Sequence, residues 1–545
     1  MTEVVNTSQY LGRFLAEWTP TLFGLMGDAN MRYLSEYMDR GGRFVTVAHE
    51  AAAVSMADGR ARVTGAVGTA SVTHGPGFTN TLTALTEAAR YRSPIVVFTG
   101  STRPGRTVFQ QFDLRAAADA AGAGFESLCA AATLPEDLIR AYRRARTERR
   151  PIVVDFPALL DGEPLPEHVT TASMPVPDHS TTPAQVPPVP APELIDAAVR
   201  AITAIERPVI LAGRGALSPG AQDAIGRLGC LLGAPLATTL LARGLFAGHP
   251  LDIGLMGGLS FGPTVDLLRE ADGFIVFGAG LNAFTAGDRT NLLAGRTVIQ
   301  IDSDPAAFED SGQVDVAVLG DAGAAAEALA RRLPDSPDRV QESRQRAAAV
   351  HGFNPRDHYR TDWTGYGLSV RDAALALQEV LPADKFVVSD LGRFIATSWR
   401  HISGTAPGTF THTGTFGSIG LGLSTALGAA TASERPVIAL VGDGGLMMSI
   451  GELGTAARAG LPVFLIVFND GAYGAEYSKL AGYGLDPDRS LMDWPDLATL
   501  ARGFGWEART VSSVEEIRAL DLTQPVEVPT LLDVRVDPQV DHFEW

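Results

Sequence analysis

The chain has 545 residues, which is too long for one domain and predicts about three or four. An apolar content of 46% and a charged content of 19% are typical of a globular protein and exclude a disordered or fibrous one. The net charge of −18, without a basic run, argues against nucleic acid as a partner.

The N-terminal sequence, the apolar runs and the cysteines indicate in which cellular compartment the protein is expected. The N-terminal sequence MTEVVNTSQY does not resemble a signal peptide, and no apolar run reaches the roughly 18 residues that a membrane helix needs. Cys129 and Cys230 are the only cysteines; each has apolar neighbours, and neither has metal-ligand spacing. We therefore expect two buried thiols in a reducing compartment, and a cytoplasmic protein without a membrane partner.

Residues 1–160 alternate between helical and strand patterns, which predicts a doubly wound α/β domain. Glycine, acids or histidine follow several of the strands. The expected helices are 7–18, 31–38, 51–64 and 79–90, and the expected strands are 21–26, 44–47, 66–73, 95–99 and 152–156.

Two polar segments divide the rest of the chain. Residues 161–192 are rich in proline and are expected to be a linker, and residues 336–367 are expected to be a second one. Between them, residues 193–335 form a second α/β unit, with expected strands at 209–212, 274–277 and 297–301. Residues 368–545 repeat the pattern, so we expect three α/β domains with doubly wound parallel sheets.

The most informative stretch runs from Val437 to Ala475. An expected strand, 437–441, ends at Gly442-Asp443-Gly444-Gly445; an expected helix, 448–459, follows; and a second strand, 463–468, ends at Asn469-Asp470-Gly471. The carboxyl ends of parallel strands share one edge of a sheet, so Asp443 and Asn469 should lie close together.

The chemistry of this stretch points to a metal-bridged phosphate site. An acid, an amide and free carbonyl groups are oxygen ligands that suit Mg²⁺, and glycine N–H groups at a helix start suit a phosphate. The simpler alternative is a glycine turn that only links a strand to a helix.

Glu50 is the second candidate for chemistry. It follows an expected strand and begins a helix rich in small apolar residues, where partial desolvation would raise the pKa of its carboxyl. The structural alternative is an acid that the helix dipole favours at this position.

Together these motifs resemble one enzyme family. Gly-Asp-Gly at 442–444, then 24 residues, then Asn469 is similar to the signature of thiamine diphosphate enzymes, although Asp470 stands where the family often has Asn. HEAAAVSMADGRAR at 49–62 closely resembles the family's pyrimidine-domain motif. The chain is identified as a member of the 2-oxo acid decarboxylase and acetolactate synthase superfamily, with pyrimidine-binding, central and diphosphate-binding domains in that order.

The resemblance implies roles for the matching residues. Glu50 would bind the pyrimidine N1′ atom, the Gly417 carbonyl would accept the pyrimidine amine, and Ile419 would wedge the cofactor into a bent shape. The loop Gly442-Asp443-Gly444-Gly445 would hold the diphosphate through its glycine amides. The implied Mg²⁺ ligands are Asp443, Asn469 and the Gly471 carbonyl.

The residues that the resemblance places near the substrate match two different kinds of enzyme. His74 stands in a His-Gly-Pro-Gly loop that resembles the Ser-Gly-Pro-Gly loop of acetolactate synthases, and Phe109-Gln110 matches a pair in those enzymes. His74 is a candidate proton shuttle or a structural histidine. Asp28 and Glu476 resemble acids of the pyruvate decarboxylases, with Glu476 offset by one residue. All four side chains, with Glu50, are candidate catalytic residues.

The resemblance implies an enzyme that makes or breaks the carbon–carbon bond of a 2-oxo acid through a ylid and an enamine. We favour an acetolactate synthase-like carboligase that also takes an aldehyde or ketone acceptor, in a homodimer or homotetramer with its active sites between subunits. The alternatives are a decarboxylase that releases an aldehyde, an oxidase linked to FAD, and a catalytically silent relative. Residues 213–215 and 286–289 only loosely resemble FAD contacts, so FAD is possible but not favoured.

Overall fold

A computed structural model describes residues 5–103, 109–170, 188–287, 291–308, 313–358, 367–404, 406–524 and 526–539. Within these residues the strands form three six-stranded sheets with parallel pairing, so the predicted α/β class with three parallel sheets is confirmed. The chain divides into two compact units; the first and third sheets belong to one of them, and the central sheet to the other.

The first sheet belongs to the N-terminal part of the chain. Its strands are β1 (Thr21–Gly24), β2 (Arg43–Thr46), β3 (Gly68–Ser71), β4 (Ile95–Thr99), β5 (Gly124–Ser127) and β6 (Ile152–Asp155). They pair in the order β2-β1-β3-β4-β6-β5. The helices are α1 (Thr7–Trp18), α2 (Met31–Asp39), α3 (Glu50–Thr64), α4 (Pro76–Thr79), α5 (Leu82–Tyr91), α6 (Leu114–Ala120), α7 (Leu134–Glu148) and α8 (Glu167–Thr170).

The central sheet has the order β12-β11-β10-β7-β8-β9. Its strands are β7 (Pro208–Ala212), β8 (Leu236–Thr238), β9 (Asp252–Leu255), β10 (Gly273–Phe277), β11 (Thr297–Asp302) and β12 (Val316–Leu319). Its α-helices are α9 (Pro192–Thr203), α10 (Ala221–Leu232), α11 (Gly262–Glu270), α12 (Ala283–Ala286), α13 (Ala322–Ala330) and α14 (Pro337–His351). Short 3₁₀ helices cover Arg214–Leu217, Leu240–Ala242, Pro305–Phe308 and Pro355–His358.

The third sheet has the order β14-β13-β15-β16-β18-β17. Its strands are β13 (Phe386–Ser389), β14 (Phe410–His412), β15 (Val437–Gly442), β16 (Val463–Asn469), β17 (Glu507–Val511) and β18 (Thr530–Arg535). The α-helices are α15 (Val370–Val380), α16 (Ile395–His401), α17 (Gly422–Ala430), α18 (Asp443–Met448), α19 (Glu452–Ala459), α20 (Gly474–Gly482), α21 (Leu497–Gly503) and α22 (Val514–Arg518), and a 3₁₀ helix covers Pro487–Ser490.

Helices α3 and α17 join the first sheet to the third by close backbone packing. A Cβ atom added at Gly59 would overlap the carbonyl oxygen of Thr425, and one added at Gly428 would overlap that of Met56. Both helices contribute to one hydrophobic core that includes strands of both sheets. The small residues that suggested packing against a sheet therefore also allow this helix–helix contact.

Several expectations change in the structure. The helix expected at 448–459 is two helices, α18 and α19, because α18 begins at Asp443 directly after β15 and the chain turns before Glu452. The segment 336–367, expected to be a linker, contains α14, whose Ser343 and Ala347 are buried. The Pro-rich segment lies largely outside the described residues.

The expectation of two buried thiols is wrong for Cys129, which is exposed after β5, where its Sγ atom donates to the carbonyl oxygen of Ser127. Cys230 is half-buried on α10. Of the helices that the structure describes, none combines the length and the apolar character that crossing a membrane requires.

Candidate active site

The carboxyl ends of β15 and β16 place the predicted metal ligands side by side. The register pairs Gly442 with Phe468, so Asp443 and Asn469 are the next residues on two neighbouring strands. Both side chains are buried. The expectation that these residues approach each other, although 25 residues lie between them in the sequence, is confirmed.

Asp443 has the environment of a cation ligand. Its side chain is 2% exposed, and its Oδ2 atom has no hydrogen-bond partner among the described residues. Burial, reinforced by the nearby carboxylate of Asp470, raises the pKa of Asp443 to about 7. A buried carboxylate with an unused oxygen is costly without a counter-ion, so this position fits a bound metal ion.

Asn469 is oriented by an acid that the sequence did not single out. Its Nδ2 atom donates to Oδ1 of Asp533 on β18 at 2.8 Å, and its Oδ1 atom accepts from the N–H group of Gly471 at 3.2 Å. Asp533 is fully buried. The described residues hold no cluster of three His, Cys, Asp or Glu side chains suited to a metal, so a metal here needs the amide and a carbonyl oxygen beside Asp443.

The glycines after β15 allow neighbouring side chains to approach the backbone closely. A Cβ atom at Gly444 would lie 2.8 Å from the ring of Tyr473, and one at Gly445 would lie 2.7 Å from Oδ2 of Asp390. Gly444 and Gly445 are also in the first turn of α18, where backbone N–H groups have no partner within the helix, and the Gly444 N–H group donates to the Asp443 carboxylate. The close contacts with Tyr473 and Asp390 require glycine at both positions.

Asp390, which follows β13, is a second acid that sequence reasoning missed. It accepts hydrogen bonds from the Gly420 N–H group at 2.7 Å and from Oγ1 of Thr413 at 3.0 Å. These contacts hold the segment that contains Gly417 and Ile419. Gly417 and Gly420 have φ angles of +92° and +91°, so glycine is required on both sides of Ile419, which is half-buried.

The pKa of Asp390 predicts how stability depends on pH. Burial raises this pKa from 3.8 to about 6, so the folded state holds the proton more tightly than the unfolded chain. The resulting stabilisation is complete below pH 4 and is lost as pH rises through about 6, a loss of about 3 kcal/mol. Urea midpoints at pH 4.5 and 7 should therefore differ less in Asp390→Asn than in the wild type, and an unchanged difference would contradict this assignment.

A second set of candidate catalytic residues lies at the carboxyl edge of the first sheet. Glu50, the first residue of α3, is buried and accepts a hydrogen bond from Nδ2 of Asn80 at 2.9 Å. A Cβ atom at Gly77 would lie 3.5 Å from Oε1 of Glu50. The loop 74–80 therefore covers the Glu50 carboxyl, and Asn80 is a partner that sequence reasoning did not identify.

His74 and Gln110 contact each other directly. Nε2 of His74 lies 2.7 Å from Oε1 of Gln110, and Nδ1 of His74 is buried without a hydrogen-bond partner among the described residues. A Cβ atom at Gly75 would lie 2.5 Å from the Gln110 carbonyl oxygen. The His-Gly-Pro-Gly loop and the Phe-Gln pair thus form one surface.

Asp28 and Glu476 are less constrained. Asp28 is exposed in the turn after β1, and this turn approaches Thr73, whose Oγ1 accepts from the Ala29 N–H group at 3.4 Å. Glu476 is exposed on α20 and lies 3.6 Å from Nζ of Lys479. The turn that contains Asp28 is therefore next to Thr73, the residue before His74, whereas Glu476 lies on the helix that follows β16 of the third sheet.

The central domain offers a packing explanation for its glycines. A Cβ atom at Gly215 would lie 2.7 Å from Cα of Gly278, so the turns after β7 and β10 are in backbone contact. Of the residues that loosely resemble FAD contacts, 288 and 289 lie outside the described part of the chain.

Comparison with known proteins identifies the family. Residues 5–117, 195–329 and 390–534 match, respectively, the N-terminal TPP binding domain, the central domain and the C-terminal TPP binding domain of thiamine pyrophosphate enzymes. The chain belongs to this family, and it is an enzyme dependent on thiamine diphosphate.

Individual relatives differ in their reactions. The chain is 30% identical to a probable 2-ketoarginine decarboxylase of Pseudomonas aeruginosa, over 94% of this chain and 91% of the relative. It is 28% identical to a probable acetolactate synthase large subunit of Methanococcus aeolicus, over 96% and 90%. A thiamine diphosphate-dependent 4-hydroxybenzoylformate decarboxylase of Rhodococcus jostii has the same fold, with a TM-score of 0.78 and 23% identity, covering 98% of this chain and 99% of that one.

The contact between Asp533 and Asn469 leads to a prediction about the Mg²⁺ site expected at Asp443 and Asn469. Asp533→Leu should weaken Mg²⁺ binding about 10- to 100-fold, because partners that orient a metal ligand contribute effects of this size. Titrating Mg²⁺ at fixed thiamine diphosphate, with calorimetric detection, measures the change. Thr510→Val is the control, because it removes only a hydroxyl that donates to Asp533 at 3.3 Å; equal affinities for the Leu variant and the wild type would contradict the prediction.

Proposed function

We propose that this enzyme uses thiamine diphosphate and Mg²⁺ to release CO₂ from a 2-oxo acid and to join the remaining acyl unit to an aldehyde or ketone. The observation that supports the cofactor and metal is the buried, unpartnered oxygen of Asp443 beside Asn469. The observation that supports carbon–carbon bond formation is the contact between the His74 loop and Gln110.

The third sheet would hold the diphosphate end of the cofactor. Asp443, Asn469 and the Gly471 carbonyl are the proposed Mg²⁺ ligands, and the amides of Gly444 and Gly445 are the proposed diphosphate donors. Thiamine diphosphate, when bound, supplies a carbon that adds to the 2-oxo group and accepts the electron pair released with CO₂.

The first sheet would act on the other end of the cofactor and on the substrate. Glu50 would hold a proton against the pyrimidine ring, and Asn80 fixes the direction of the Glu50 carboxyl. His74, held by Gln110, would bind or move a proton at the substrate oxygen. Ile419 and the Gly417 carbonyl would set the angle between the cofactor's rings.

Decarboxylation with release of an aldehyde is the alternative. It is favoured by the reaction named for the relative from Pseudomonas aeruginosa and by the hydrogen bond that joins Ala29, the residue after Asp28, to Thr73, the residue before His74. In that case an acid near the substrate would protonate the carbon that lost CO₂, and no acceptor would be needed.

A product assay distinguishes these reactions. The enzyme is incubated with thiamine diphosphate, Mg²⁺ and a panel of 2-oxo acids that includes pyruvate and 2-ketoarginine, with and without aldehyde and ketone acceptors. Mass spectrometry should detect a coupled product that needs both substrates, and Asp443→Ala should abolish it. Free aldehyde as the sole product would overturn carboligation, and no CO₂ release from the whole panel would overturn action on these 2-oxo acids.

We also propose a homodimer, or a tetramer built from such dimers, in which Glu50 of one subunit and Asp443 of another share an active site. Large apolar side chains are exposed at both sets of candidate residues, which supports contact with another subunit. They include Met26 at 44%, Phe109 at 95% and Phe112 at 43% near the first sheet, and Phe416 at 42% and Met448 at 61% near the third.

Mixing two inactive variants tests the shared site. Glu50→Gln and Asp443→Ala chains, dissociated and reassociated together, would form mixed dimers with one intact site. Random exchange of subunits should restore about a quarter of the wild-type activity per chain. Activity that stays at the level of the separate variants would show that each site comes from a single chain.

A further inference from the structure

Helix α19 is hydrogen-bonded to strand β2 and to the turn that precedes Glu50. Nη2 of Arg43, at the start of β2, lies 3.3 Å from the carbonyl oxygen of Ala459, and Nη2 of Arg458 lies 3.3 Å from that of Thr46. Beyond β2 the chain passes through Ala48 and His49 and then enters α3. The third-sheet helix therefore follows β2 along its length.

The strongest part of this contact is the side chain of Glu452, the first residue of α19. Its Oε1 atom accepts from the N–H groups of Ala48 at 3.1 Å and His49 at 3.0 Å, and its Oε2 atom lies 3.2 Å from the Ala48 nitrogen. Oε2 also accepts from Oγ1 of Thr455 at 2.7 Å. Glu452 is 2% exposed, so its carboxyl is committed to these donors.

Burying the charge of this carboxyl is costly, and only its hydrogen bonds offset that cost. What those bonds fix is local. They hold the two backbone amides that immediately precede Glu50, and a Cβ atom at Gly451 would lie 3.1 Å from Cβ of Ala48, so the turn is also packed against α19.

We propose that Glu452 is a positioning residue for Glu50: by holding the Ala48 and His49 amides, it fixes the backbone from which the Glu50 carboxyl, oriented by Asn80, extends toward the cofactor's pyrimidine ring. This inference rests on the proposed role of Glu50 in activating thiamine diphosphate. A misplacement of about 1 Å at a reacting group can cost about 100-fold in rate, so a support one residue away has a measurable effect.

The first measurement needs no cofactor. In Glu452→Gln the remaining carbonyl oxygen can still accept from both amides, but it no longer carries the negative charge that strengthens these two hydrogen bonds. Hydrogen–deuterium exchange of the cofactor-free protein should therefore accelerate about 10-fold or more in a peptide that spans residues 44–50. Thr455→Val, which keeps both amide bonds, is the control and should leave exchange of this peptide within about 2-fold of the wild type. Unchanged exchange in Glu452→Gln would overturn the proposal.

The second measurement follows the proton that Glu50 is proposed to help remove. Exchange of the thiazolium C2 proton of bound thiamine diphosphate, measured by quenched-flow NMR, should slow about 10- to 100-fold in Glu452→Gln. The dissociation constant of the cofactor should change less than about 3-fold, because the diphosphate residues are untouched. If C2 proton exchange were slow only because less cofactor is bound, and returned to the wild-type rate at saturating cofactor, the proposal would be overturned.

The double variant Glu50→Gln/Glu452→Gln separates action through Glu50 from a general effect. In this double variant the C2 proton should exchange no more slowly than in Glu50→Gln alone, because Glu452 is proposed to act only through the Glu50 carboxyl, which Glu50→Gln already removes. A further slowing by the same factor would overturn the proposal. If Glu50→Gln itself exchanged at the wild-type rate, the proposed function would fail instead. If Glu452→Gln did not fold, Glu452→Asp, which keeps the charge but has a shorter reach, would be put through the same measurements.

Discussion

Replacing Glu50 by glutamine should slow removal of the C2 proton of bound thiamine diphosphate, and turnover with it, by about 100- to 10,000-fold, the range typical of a general acid–base group. Glutamine has nearly the same shape and can still accept from Asn80, which donates to Oε2 at 2.9 Å. It cannot hold the exchangeable proton, so the chemistry changes while the local packing is kept.

The measurement for Glu50→Gln is C2 proton exchange at saturating cofactor, with the cofactor affinity determined separately. Asn80→Ala is the matched comparison, because it leaves the carboxyl in place and removes only the side chain that orients it. We expect a smaller loss for Asn80→Ala than for Glu50→Gln. Wild-type exchange in Glu50→Gln would show that Glu50 does not act on the cofactor.

Replacing Arg62 by methionine should cost about 3–5 kcal/mol of unfolding free energy, because it leaves buried carboxylates without their cation. Arg62 is 1% exposed and lies 2.6 Å from Asp58 and 3.4 Å from Glu87, both 2% exposed. Burial alone would lower the pKa of Arg62, but Asp58, Tyr91 and Glu87 raise it, so the guanidinium stays charged.

The effect of Arg62→Met should extend to the segment before Gly417. Arg62 donates to the His412 carbonyl oxygen at 2.6 Å, and Glu87 accepts from the Phe416 N–H group at 2.7 Å. Urea unfolding measures the loss. Arg60→Met is the control, because Arg60 lies on the same helix and donates to Thr431 at 3.2 and 3.3 Å rather than to an acid. Equal losses in the two variants would contradict the role of the buried ion cluster.

The sequence was sufficient where a motif lies within one strand–turn–helix unit. Asp443 and Asn469 were predicted to be neighbours because parallel strands end at one edge, and the register of β15 and β16 agrees. Glu50 was recognised because it follows an expected strand and begins an apolar helix. The composition and alternation of elements also predicted three α/β sheets.

The residues that were missed depend on contacts between distant parts of the chain. Asp533 orients Asn469 from a strand 64 positions away, and Glu452 reaches Ala48 across 404 positions. Neither acid has a local pattern that separates it from an ordinary core or surface acid. The break between α18 and α19 was missed because the glycines after β15 suggested a turn, whereas Asp443 already belongs to a helix.

The backbone contact between α3 and α17 constrains how this molecule can move. Gly59 and Gly428 leave no space between the helices, so neither helix can slide or roll past the other without separating the common core. A shear motion between the first and third sheets is therefore excluded, and the interface between α3 and α17 is rigid. Within this part of the chain, closure over a substrate is left to the segments at the strand ends, and Glu50, at the start of α3, is held in a fixed position.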